Sequence, residues 1–150
     1  MPWTLERLLL QLDREHIPLG LEEELSRRKE ESYKYLFNEI LTNGLSQQQL
    51  AHTISLLYQL HIFIEPELYY EMLFAFIVHH VTHKDERIRN SAAFCAAHLV
   101  VLASLNSSYN RYLSKDDFIN SLRKALQLGL KAECREYISN NIWELRLESR

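Results

Sequence analysis

The stretch Lys84-Asp85-Glu86-Arg87-Ile88-Arg89-Asn90-Ser91-Ala92-Ala93-Phe94-Cys95-Ala96-Ala97-His98-Leu99 decides the fold. It opens on a polar turn, after which Ile88, Ala92, Ala96 and Leu99 recur at helical spacing. Alanines at i and i+4 let a neighbouring helix approach closely. The stretch lies inside a run of 62 residues, Glu67 to Leu128, that contains no Gly and no Pro. One helix of that length would extend roughly 93 Å, far beyond a compact domain of this size. The breaks within it must therefore be polar, and two segments qualify: His83-Lys84-Asp85-Glu86, and Asn106-Ser107-Ser108 through Ser114.

The rest of the chain agrees. Its 150 residues are 47% hydrophobic and 25% charged, with a net charge of −3, which excludes a disordered or collagen-like chain. Three Gly and three Pro are too few for the turns of a β-rich or α/β domain, so the class is all-α. Thr4 can cap a short helix carrying Leu5, Leu8, Leu9 and Leu12. A long helix is expected from Leu21 to Thr42, acids first and bases after, closed by Asn43-Gly44. Ser46 with Gln49 forms a capping box for a helix to Phe63, with Leu50, Ile54, Leu57 and His61 on one face. The helix from Pro66 to about Thr82 is apolar nearly all round and is expected to be the central helix. Further helices are expected at 85–105, 114–128 and 131–147, the last two separated by Gly129.

The second helices of the last two pairs align at an offset of 46: Ile88-Arg89 with Cys134-Arg135, Ala92 with Ile138, Ala96 with Ile142, Leu99 with Leu145. The segment 46–62 aligns more weakly, at an offset of 38. Helical repeats of about 40–47 residues are the HEAT/armadillo range. On Asp85, Ile88, Arg89, Ala92, Ala93, Ala96 and Leu99, residues 84–99 resemble the inter-helix turn and second helix of a HEAT repeat. The resemblance implies a short α-solenoid, a right-handed stack of about seven helices. Residues 1–150 are then a single helical-repeat domain, with a capping helix at 1–20 and helical pairs at 21–63, 66–105 and 114–147.

Few residues carry chemistry. His79 and His83 share a helix face at i, i+4, a spacing that can bind zinc, but the hydrolase version needs a Glu where His80 stands. Histidines near a helix C-terminus are also favoured by the macrodipole, and no metal and no cofactor is the reading carried forward. Cys95 and His98 at i, i+3 sit among closely packing alanines, the setting of an inert core cysteine. Asp116-Asp117 reads as a helix start rather than an acid/base pair. There is no phosphate loop and no nucleophile elbow.

The expected role is a non-catalytic protein–protein interaction module or small adaptor, its partner another protein. Asn90, Phe94 and His98 point away from the buried stripe, as do Glu136 and Asn140 in the next repeat, and these form the expected concave surface. Trp143 marks an end face open to self-association. The alternative is a nucleic-acid-associated protein using a basic edge of Arg87, Arg89, Lys131 and Arg135, against which stands the slightly acidic net charge. A helical metalloenzyme built on His79 and His83 is a third reading. Cys95 and Cys134 offer no disulfide framework, and neither a signal peptide nor a membrane span is apparent, so a cytoplasmic location is expected.

Overall fold

The computed structural model describes residues 4–13, 16–17, 20–28, 30–41, 45–61 and 70–148. Among these residues the chain forms eight α-helices, two short 3₁₀ segments and no strand. The helices are α1 (Leu5–Gln11), α2 (Leu21–Arg28), α3 (Glu30–Leu41), α4 (Gln47–His61), α5 (Tyr70–His80), α6 (Glu86–Leu105), α7 (Lys115–Leu128) and α8 (Ala132–Asn141). The chain divides into two compact units, 1–68 and 69–150.

In the first unit α3 packs against α1, α2 and α4. The Thr4 hydroxyl accepts from the Arg7 N–H and so starts α1. Leu8, Leu9 and Leu12 are buried on one side of that helix. The long helix expected over 21–42 is described as α2 and α3, with residue 29 between them outside the described residues. Leu21, Leu25, Tyr33, Leu36 and Ile40 form its buried stripe. The capping box at α4 is formed: the Gln49 N–H donates to the Ser46 hydroxyl at 3.2 Å, and the Ser46 N–H donates to Gln49 Oε1 at 2.9 Å. Gln49 then donates to the Leu9 carbonyl, and the His52 Nδ1–H to the Leu12 carbonyl, so polar side chains of α4 hold the end of α1. His61 is fully buried with its Nδ1–H on the Tyr58 carbonyl, and burial lowers its pKa despite that bond.

In the second unit the central helix is α6, not the α5 segment expected for that place. α6 packs against α5, α7 and α8. Its alanines at 92, 93, 96 and 97 are all buried and present little bulk on several sides at once. The larger side chains of α5 leave Met72 51% exposed, so that helix is covered mainly on its Leu73, Phe74 and Ile77 side. By length and composition α6 could cross a membrane, with a mean hydropathy of 1.4 over its window. More than half of that window is buried in the packing of the unit, as in the core helix of a folded domain.

Two connections differ from expectation. The polar link after α6 is a 3₁₀ turn, Ser107–Arg111, that buries Tyr109 against Tyr70 and Phe74 of α5. The last helix ends at Asn141, not at 147. Ser139-Asn140-Asn141 are poor helix formers, and the Asn141 amide bonds the Tyr137 carbonyl. Ile142 then turns extended, and a 3₁₀ turn at Trp143–Leu145 follows. Ion pairs Lys115–Glu144 and Arg123–Glu148 hold this tail on α7, with Ile142 and Leu145 buried beneath.

One detail of the first unit is testable. The Ser32 hydroxyl on α3 is fully buried and meets no hydrogen-bond partner among the described residues. Ser32→Ala removes an unsatisfied group and improves helix propensity, so it should raise stability by about 1 kcal/mol in urea denaturation followed by circular dichroism.

Candidate docking surface

The second unit is organised around Arg89, which the sequence placed on a basic edge. Its side chain is buried. Nε donates to the Gly129 carbonyl at 2.8 Å, and Nη1 donates to the His83 and Lys84 carbonyls at 3.0 and 3.1 Å. One guanidinium thus joins the α5–α6 turn to the α7–α8 turn. These carbonyls lie just past the C-termini of α5 and α7, where helix dipoles favour a cation. Gly129 allows this because its φ of +113° is costly for any residue with a Cβ.

Asp85 starts α6 beside it. Its carboxylate accepts from the Arg87 and Ile88 N–H groups at 2.9 and 3.2 Å and pairs with the Arg87 guanidinium at 3.2 Å. Burial alone would raise the Asp85 carboxyl, but the Arg87 guanidinium and the two N–H groups outweigh it and hold its pKa below the ordinary value. Asn90, one turn on, accepts the Lys131 N–H at 3.0 Å and so anchors the start of α8.

From Asn90 the same stripe of α6 continues to Phe94 and His98, which meet Tyr137 of α8. The His98 ring stacks on Tyr137 at 4.1 Å between centroids and on Phe94 at 5.2 Å, and Phe94 lies 5.5 Å from Tyr137. The His98 Nδ1–H donates to the Phe94 carbonyl, which fixes the ring for stacking. All three side chains are half-buried, so one side of the aromatic row stays open. Glu136 and Asn140 are exposed on α8. Trp143 is 70% exposed, with the Arg146 guanidinium 3.2 Å above its ring. The structure therefore brings Asn90, Phe94 and His98 together, adds Tyr137, and leaves Glu136, Asn140 and Trp143 on the surface. The sequence reading missed Tyr137, although it stands three residues after the buried Cys134, where a helical side chain flanks the same face.

The basic edge is reduced. Arg87 is exposed but paired with Asp85, Arg89 is enclosed by carbonyls, and Lys131 and Arg135 are exposed. The histidines after α5 are arranged around the turn. The His80 Nδ1–H donates to the Phe76 carbonyl at 2.8 Å, and His83 Nδ1 accepts the Asp85 N–H at 2.9 Å. The His80 ring lies 5.1 Å from that of His79 and stacks on His83 at 5.9 Å. Among the described residues no group of three His, Cys, Asp or Glu side chains could hold a metal ion. Cys95 and Cys134 are buried and form no disulfide, and burial pushes the Cys134 thiol up to about 12, far from the thiolate needed for chemistry. In the first unit an open cleft of about 430 Å³ is lined by Thr4, Leu5, Glu6, Arg28, Glu31 and Tyr35. Its Arg28 is bound by Glu24, which also pairs with Arg27.

Compared with protein-family models, with curated proteins and with solved structures, the chain shows no significant match.

Arg89→Ala leaves three carbonyls without their donor and removes the packed stem of the side chain. It should cost about 3 kcal/mol in urea denaturation, whereas Arg135→Ala at the aligned exposed position should cost under about 0.5 kcal/mol. Equal costs for the two would contradict the role given to Arg89.

Proposed function

We propose that the protein is a non-catalytic interaction module that holds another protein on the α6–α8 face. The observation that carries this reading is the open row of Phe94, His98 and Tyr137. Aromatic side chains provide large contact area with few rotamers to immobilise, and they dominate the energetics of protein interfaces. Asn90 stands at one end of the row, and Glu136 and Asn140 supply exposed polar groups on α8, giving the apolar centre a polar rim. Trp143 and Leu147 extend the exposed apolar area at the tail, where self-association is the second use of the surface.

The scaffold belongs to this proposal as a HEAT-like pair of repeats, α5–α6 and α7–α8. The offset of 46 supports it over the two aligned pairs that lie on both α6 and α8, Ile88 with Cys134 and Ala92 with Ile138, which are buried on both sides, whereas Ile142 and Leu145 lie past the end of α8. The Arg89 link between successive turns supports it too.

Affinity capture with wild-type protein, repeated with Glu136→Lys, Asn140→Arg and Phe94→Ala, tests the reading. Glu136 and Asn140 are exposed, so the first two variants keep the fold while placing charge on the α8 side of the row. A specific partner should be weakened at least about tenfold by each, as expected when an interface contact worth 1.4 kcal/mol is lost. A partner that ignores all three variants would refute the surface. A nucleic acid retained only at low salt would instead favour Lys131 and Arg135 as the contact.

A further inference from the structure

The connection between α5 and α6 is held by a hydrogen bond that only an uncharged histidine can accept. His83 Nδ1 receives the Asp85 N–H at 2.9 Å, and this nitrogen has a lone pair only while it carries no proton. The same turn supplies the His83 and Lys84 carbonyls that bind Arg89, and Asp85 is the N-cap of α6. Three functions of one five-residue turn therefore meet at a single imidazole.

We propose that the α5–α6 turn is a proton-sensitive latch: protonation of His83 opposes one N–H to another, opens the turn, and loosens the hold of Arg89 on the α7–α8 connection. The proposal does not depend on the docking reading, because it concerns the turn itself.

Other titratable and charged groups surround this turn. On α5, His80 stacks face to face with it and His79 adjoins His80. His80 is half-buried, and burial lowers its pKa, with the neighbouring His79 and His83 acting in the same direction against the bond to Phe76. On the turn and the start of α6, the positive groups are Lys84, Arg87 and Arg89, and the negative ones Asp85 and Glu86. Asp85 is already neutralised by Arg87. The α7–α8 connection adds Lys131, whose N–H is held by Asn90. The last turn of α7, Ala125 to Leu128, carries no titratable side chain. Glu86, beside Asp85 at the start of α6, is exposed.

The sign follows from linkage. A proton on the acceptor nitrogen removes this hydrogen bond, so acidification favours the open turn. The buried His61 weakens the first unit in the same direction, so the readout must be local.

Hydrogen exchange of the Asp85 amide in the full-length protein, corrected for intrinsic exchange, should lose about tenfold in protection between pH 7.5 and 5.5, as protonation of the acceptor nitrogen frees the amide. His83→Asn offers a non-titrating acceptor, and its protection should change less than about twofold. Equal loss in the two proteins would overturn the latch. A second measurement needs no variant: nitrogen-15 spectra of the wild-type imidazoles at pH 7.5 should show His83 protonated on Nε2. A proton on Nδ1 would overturn the proposal directly.

Discussion

A buried guanidinium bound by three backbone carbonyls is the constraint on which the second unit depends. Arg89 has no carboxylate partner within salt-bridge distance among the described residues. Its charge is met by the carbonyls of His83, Lys84 and Gly129, which lie past the C-termini of α5 and α7. A lysine presents a single ammonium where these acceptors need a planar fork. Two turns distant in sequence are thereby fixed relative to one another, and α6 and α8 keep the separation that allows Tyr137 to stack on His98. The aromatic row is downstream of the arginine.

Much of the second unit was legible in the sequence. The polar break at 83–86 became the turn before α6, Asp85 caps it, and Ser114 caps α7 through the Asp117 N–H. Capping chemistry is local, so a few residues suffice to specify it. The choice of central helix was not local. Bulky apolar residues all round α5 suggested coverage on every side, but coverage requires neighbours able to come close, and the alanines of α6 provide that. The end of α8 depended on tail contacts at Glu144 and Glu148 with α7, which periodicity does not reveal. Part of the helix expected from Pro66 falls on residues 62–69, outside the described residues.

The candidate site divides the same way. Asn90, Phe94 and His98 were found because they share a helical stripe. Arg89 was misjudged because a basic residue in a polar turn usually faces solvent. Its spacing to Ala92, Ala93 and Ala96, at i+3, i+4 and i+7, already placed it on a buried face, and that signal outranks residue type. Tyr137 became visible only when a second helix was laid beside the first.

The two halves of the α6 surface have opposite requirements. Where small residues dominate, close packing with α5 and α7 buries nearly everything, and substitution is felt as lost stability. Where Phe94 and His98 stand, side-chain size keeps α8 from closing down completely, and one flank of the rings stays in water. Leu105, 80% exposed at the far end, continues the open side. A helix serving only as a core would gain from smaller residues at 94 and 98 that let α8 settle closer. Large rings held at fixed geometry by the Phe94 carbonyl and by Tyr137 instead preserve a rigid, half-wet aromatic strip, a form that costs little side-chain entropy when a partner covers it.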